Sequence, residues 1–185
     1  MYSARWSPSL RQGDIVGPLQ FPMLSADLRQ IARQSGWVAP EDATGLETTG
    51  DVIVPCKEML GIVLSHDCEF NEGKRSHFVM ARVHRPGGKD VDIDELRAGN
   101  DIRSAADDGR AVAYDTFLLE PCPEVFDEPH IANFPTMMSL PMKVRDVVLG
   151  LKRAELGHET RVQLREKVAL FFGRAADDVP DGDKS

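Results

Sequence analysis

The feature that most constrains this chain is a pair of apolar runs joined by a turn. Gly61-Ile62-Val63-Leu64 leads into Ser65-His66-Asp67-Cys68-Glu69-Phe70, Asn71-Glu72-Gly73-Lys74 follows, and residues 76–84 resume strand composition. β-Branched runs on either side of Asn/Gly punctuation read as a β-hairpin. In an extended segment residues two apart share a face, so His66 and Cys68 point one way and Asp67 and Glu69 the other. A two-residue loop centred on Glu72-Gly73 sets Cys68 opposite His77 and His66 opposite Val79. Opposed Cβ atoms lie about 4.5–5.5 Å apart, within reach of a thiol and an imidazole.

The rest of the chain supports an α+β reading. Gly13-Asp14-Ile15-Val16 enters a strand, and Val52-Ile53-Val54 is a further strand pattern. Residues 26–34 place Leu28, Ile31 and Ala32 at helical spacing behind Ser25 as N-cap. Residues 39–50 read as a surface loop. Short helices are expected at Ile93–Ala98 and Ile102–Asp108, a strand over 111–119, and an irregular strand or packed crossover from Phe126 to Met142. Over 143–174 two amphipathic helices, 143–156 and a second after Gly157, form a helical hairpin. The expectation is one α+β domain over 1–174, β-rich from 13 to 142. It is a small SH3-like β-barrel or strongly bent antiparallel sheet with a helical insertion near 90–109, followed by a disordered acidic tail at 175–185.

Charge and cysteine content limit the function classes. The chain has 22 Lys+Arg against 30 Asp+Glu, a formal net charge of −8, yet residues 143–174 carry eight bases and four acids. That basic face reads first as solvated surface, because it lacks the interleaved aromatics of a nucleic-acid reader. No apolar run approaches the ~20 residues that span a bilayer, and the first residues lack the apolar stretch of a secretory signal. A cytoplasmic location without membrane association is therefore expected. Cys56, Cys68 and Cys122 cannot all pair, and each taken alone is most often a small buried apolar residue.

His66, Cys68 and His77 are the one concentrated set of reactive side chains. An imidazole beside a thiol can draw off its proton and create a nucleophile. The same three residues could instead offer zinc three ligands and leave a position open. Both readings depend on register, since a slip of one residue sends His77 to the other face. No phosphate-binding loop, dinucleotide fingerprint, nucleophile elbow or His-Glu-x-x-His motif is present. Asp90-Val91-Asp92-Ile93-Asp94-Glu95 alternates like part of a calcium loop but lacks its central Gly. It reads as a helix start.

Gly13-Asp14-Ile15-Val16, with Gly61-Ile62-Val63-Leu64-Ser65 and the Asn71-Glu72-Gly73-Lys74 turn, resembles the opening of the PemK/MazF-like toxins. The resemblance covers about a third of the chain and implies an SH3-like barrel and endoribonuclease activity. In that family an Arg near the second motif and a Thr or Ser in the strand after the hairpin carry the cleavage. Here Glu58-Met59-Leu60 stands where the family has Arg-Pro, which leaves Arg82, Lys57 or His77 to stabilise phosphate charge. The Ser-His-Asp-Cys stretch and the terminal helices also look like uncharacterised bacterial proteins found among phage-related genes. Three functions follow as expectations. The first is a bacterial accessory or binding protein with a His66/Cys68/His77 site for a metal or small ligand. The second is an endoribonuclease toxin or phage-defence component that uses Cys68, His77 and Arg82. The third is an interaction module that docks a protein through its C-terminal helices.

Overall fold

A computed structural model describes residues 1–22, 56–70, 75–87, 91–107 and 112–173. The expected helix at 26–34, Val52–Val54, the Asn71–Lys74 turn and the acidic tail lie outside these residues. Six strands form one antiparallel sheet: β1 (Asp14–Pro22), β2 (Cys56–Val63), β3 (His77–His84), β4 (Thr116–Leu119), β5 (His130–Pro141) and β6 (Lys152–Glu155), in the order β4-β5-β3-β2-β1-β6. Short helices α1 (Ile93–Ala98) and α2 (Ile102–Asp107) form the helical insertion between β3 and β4, at the positions expected from sequence. Helix α3 (Arg145–Gly150) precedes β6, and α4 (His158–Gly173) follows it.

The sheet is a curled half-barrel because its ladders are interrupted. An extra residue on one strand bends that strand and adds local twist. Between β1 and β2 the register shifts from Val16 to Leu19. The intervening Gly17 has φ +144°, and a Cβ there would meet the Leu60 backbone at 3.2 Å. Between β3 and β5, Ala81 pairs Met137 while Arg82 pairs Asn133. Pro135 falls in that gap, where its missing N–H costs no ladder bond. The Phe126–Met142 segment, expected as an irregular strand or a crossover, is thus a long strand broken by a bulge.

Alternation along the strands builds two cores. Ile15, Ile62, Ala81, Val83, Phe117 and Phe134 pack on one face with Leu164 of α4. Val16, Val63, Phe78 and Met80 pack on the other with Leu10, Phe70 and Val148. The α+β class and the bent antiparallel sheet agree with the sequence reading. The C-terminal hairpin does not take the expected form. Its first helix stops at Gly150, and Lys152–Glu155 joins β1 as an edge strand, with Asp14 opposite Glu155 and Ile15 opposite Ala154. The Val144–Leu156 apolar spacing suits a helix, but the unpaired edge of β1 offers backbone hydrogen bonds that a helix there would leave unmade.

Each sheet edge is covered in part by the chain itself. At β4 the buried Asn100 side chain donates to Leu118 O at 2.8 Å and accepts from Leu118 N at 2.9 Å. At β6, Ser3 N donates to Glu155 O at 2.7 Å and Tyr2 bridges Leu156. Exposed strand edges template pairing with other chains, and such plugs remove the template where they sit.

Candidate functional site

Residues 66–70 do not continue the strand. β2 ends at Val63, and the chain turns through a 3-10 helix at Asp67–Phe70. Leu64 and Ser65 donate their backbone N–H groups to Val79 O at 2.9 and 3.3 Å, and Ser65 Oγ accepts from Val79 N at 3.0 Å. The Ser65 hydroxyl therefore takes over a ladder bond and releases the backbone from the sheet. Asp67 then ties the turn to the N-terminal segment: Oδ1 accepts from Gln12 N at 2.8 Å and Oδ2 from Arg11 Nε at 3.3 Å. Phe70 is buried against Phe78, with ring centroids 5.5 Å apart.

This turn brings together two of the three residues read from sequence. His66 Nδ1 lies 3.1 Å from Cys68 Sγ, and Cys68 is exposed. His77 does not join them. The β2–β3 register pairs Val63 with Met80 and Gly61 with Arg82, displaced by two residues from the expected pairing, and Cys68 has no place in the ladder. His77 instead sits exposed opposite Pro141, with Nδ1 2.9 Å from Ser76 Oγ. Among the described residues no group of three or more His, Cys, Asp or Glu side chains is placed to share a metal ion. Arg82 is half-buried on β3, and Lys57 is exposed on β2 opposite Phe21.

The turn also borders a cleft of about 660 Å³ whose walls include Leu10, Arg11, Asp67, Phe70, Arg145 and Leu149. It lies between the N-terminal segment, the 3-10 turn and α3. Clefts of several hundred Å³ with an apolar lining and a few placed polar groups are the usual form of small-molecule sites. Arg145 Nε donates to Asp146 Oδ1 at 2.9 Å, and its Nη1 to Phe70 O at 3.4 Å.

Behind Asp67 a buried ionic network closes this end of the sheet. Lys152 Nζ stands 3.0 Å from Asp14 Oδ2 and 2.7 Å from Glu155 Oε2. Arg11 Nη1 lies 3.7 Å from Glu155 Oε1, and Arg161 Nη1 lies 4.0 Å from both Glu155 and Asp67. Burial pushes the Asp14 carboxyl up to about 6, against the opposing pull of Lys152 and the Arg11 N–H. Burial also opposes ionisation of Glu155, but hydrogen bonds from Lys152 and Ser7 and the charges of Lys152 and Arg11 outweigh it and hold that carboxyl low. Gly13, at φ +86°, permits the turn into β1, and a Cβ there would stand 2.9 Å from Arg161 Cγ.

The sequence reading missed this network. Asp14 was legible only as a polar residue beside a strand, and a helical reading of 152–155 gives no reason to aim Lys152 and Glu155 at it. The β1–β6 register skips Arg153, so Lys152 and Glu155 fall on the face of Asp14 and Val16.

The chain matches no family model and no curated protein. No helix among the described residues is long and apolar enough to cross a membrane.

Proposed function

We propose that this chain is a small-ligand-binding domain whose site is the cleft beside the His66–Phe70 turn. The observation that carries this reading is the cleft itself. Two cations and two carboxylates, Arg11, Arg145, Asp67 and Asp146, share about 660 Å³ with the apolar side chains of Leu10, Phe70 and Leu149. His66 and Cys68 stand on the same turn as Asp67, outside the cleft lining, with the imidazole and the thiol 3.1 Å apart. As metal ligands they would supply zinc with two of its usual four positions. An NMR-monitored screen of small polar fragments tests the proposal on the full chain. Perturbations are expected at Leu10, Arg11, Cys68 to Phe70 and Leu149, and they should vanish in Leu149→Trp, which fills the cleft. Hits scattered over other surfaces, or persisting in that variant, would refute the reading.

A second reading keeps the PemK/MazF likeness, with an SH3-like barrel and RNA cleavage. What supports it is that the two motif strands are direct neighbours, Ile15 pairing Ile62 and Val16 pairing Gly61, with Arg82 opposite Gly61 on the next strand. RNA binding on this reading weakens steeply as salt rises, because phosphate contacts release counterions. Cleavage should be lost in Arg82→Gln. A flat salt response, or cleavage unchanged in that variant, would sink it.

A further inference from the structure

The cleft's polar groups narrow the class of ligand. Arg11 and Arg145 come from different elements and are each about one-third exposed, at 33% and 35% of their side-chain surface. Both are oriented through Nε by a carboxylate, Arg11 by Asp67 and Arg145 by Asp146. A guanidinium carries five donors in a rigid plane; with Arg11 Nη1 also facing Glu155 and Arg145 Nη1 donating to Phe70 O, each plane is fixed and Nη2 is the group that remains for a ligand.

The nearby acids are poorly placed to repel an anion. Asp67 is committed on both oxygens, to Gln12 N and Arg11 Nε, with Arg161 Nη1 a further 4.0 Å from Oδ2. The Asp146 side chain is 79% exposed, so water screens it. Arg11 and Arg161 also share Glu155 with Lys152, so the carboxylates behind the cleft are matched by cations. The remaining wall is Pro8, Ser9, Leu10, Phe70 and Leu149, apolar apart from the Ser9 hydroxyl, with Leu10 and Phe70 belonging to the second core.

We infer that the cleft takes a small amphiphile carrying a single oxyanion on an apolar body. Resting on the cleft reading above, this places the oxyanion at Arg11 and Arg145 and the body along Leu10, Phe70 and Leu149. Carboxylate and phosphate share the required chemistry, since either accepts paired N–H bonds from a guanidinium. A polyanion such as RNA fits less well: it gains affinity from many cations along a track, whereas this cleft offers two and the chain carries a formal charge of −8.

The test is an NMR titration of the full ¹⁵N-labelled chain with octanoate, octyl phosphate, octanol and acetate. Octanoate or octyl phosphate should perturb Leu10, Arg11, Cys68 to Phe70 and Leu149 with a Kd at least tenfold below those of octanol and acetate. The tighter of the two identifies the oxyanion. Arg145→Leu should erase most of that tenfold advantage, and Arg145→Lys should retain part of it. Octanol binding as tightly as octanoate would overturn the oxyanion inference while leaving the cleft a binding site. Silence from all four probes would overturn it too, with the fragment screen deciding separately on the cleft. Displacement of octanoate by a short single-stranded RNA at lower concentration would overturn it in favour of nucleic acid.

Discussion

Lys167 should destabilise the fold that contains it, and replacing it by Met should make the protein more stable. Lys167 lies on α4 with none of its surface exposed, and its Nζ has no hydrogen-bond partner. The amine sits 5.9 Å from the centroid of the Phe117 ring, and an added Cβ on Gly99 would stand 3.8 Å from it. Burial pulls its pKa down from 10.5 to about 8, against a weaker opposing influence from Asp115. Such a displacement corresponds to roughly 3 kcal/mol of penalty on the charged amine in the folded state. Met has a similar length and no charge. Losing the cation–π contact returns about 1 kcal/mol, so Lys167→Met should gain roughly 2 kcal/mol at pH 7. The pH dependence gives an independent check. From pH 8 to 10.5 the folded protein sheds this proton while the unfolded chain keeps it, so wild-type stability rises with pH and the advantage of the variant shrinks. Urea titrations followed by circular dichroism at pH 7 and pH 10 measure both effects, with an unchanged m-value showing that the same surface unfolds. A variant less stable than wild type at pH 7, or a difference that does not narrow with pH, would refute the reasoning.

Three further outcomes are expected. Asn100→Ala should cost about 2–3 kcal/mol in thermal or urea unfolding, because it strands a buried N–H and C=O on Leu118; a loss under about 0.5 kcal/mol would show that water or a shifted neighbour replaces the amide. With a folded pKa of about 6 against 3.8, Asp14 takes up a proton that the unfolded chain lacks, so its contribution to stability falls as pH rises from about 4 to 6. Asp14→Asn should remove that component, so the variant's own stability curve is flatter than that of wild type and the difference between the two changes across this window. Gly13→Ala should cost roughly 1–3 kcal/mol through its positive φ and the contact with Arg161, and an unchanged melting temperature would show that the turn relaxes freely.

The strands were legible wherever apolar alternation was unbroken, as at Ile15-Val16, Ile62-Val63 and Phe78 to Val83. Helices α1 and α2 were legible from local signals, and the Asp92 side chain caps α1 by accepting from Asp94 N and Glu95 N. Sequence reasoning failed where a distant partner decides the outcome. Lys152–Glu155 has helical spacing, yet the open edge of β1 claims it, and nothing near residue 152 reveals that edge. His66 to Phe70 has strand composition, yet Ser65 Oγ and the Asp67 carboxylate replace ladder bonds with side-chain bonds and turn the backbone away. The pairing of His66 with Cys68 survived this change for a local reason. Two residues apart meet in a tight turn as they do on one face of a strand, whereas His77 needed the predicted register.

The seam between β1 and β6 also bears on how the chain is made. Ser7 N bonds a Glu155 oxygen across 148 positions of sequence, and Arg11 waits for the same carboxylate. During synthesis the β1–β2 pair can zip early, but its outer flank and the acids and bases around Asp14 stay unmatched until residues 152–161 leave the ribosome. Long-range closures of this kind are slow and leave a sticky intermediate. A ribosome stalled after β2 has emerged but before Lys152 would therefore hold an incomplete sheet with an open flank, a target for chaperones that vanishes once β6 locks in.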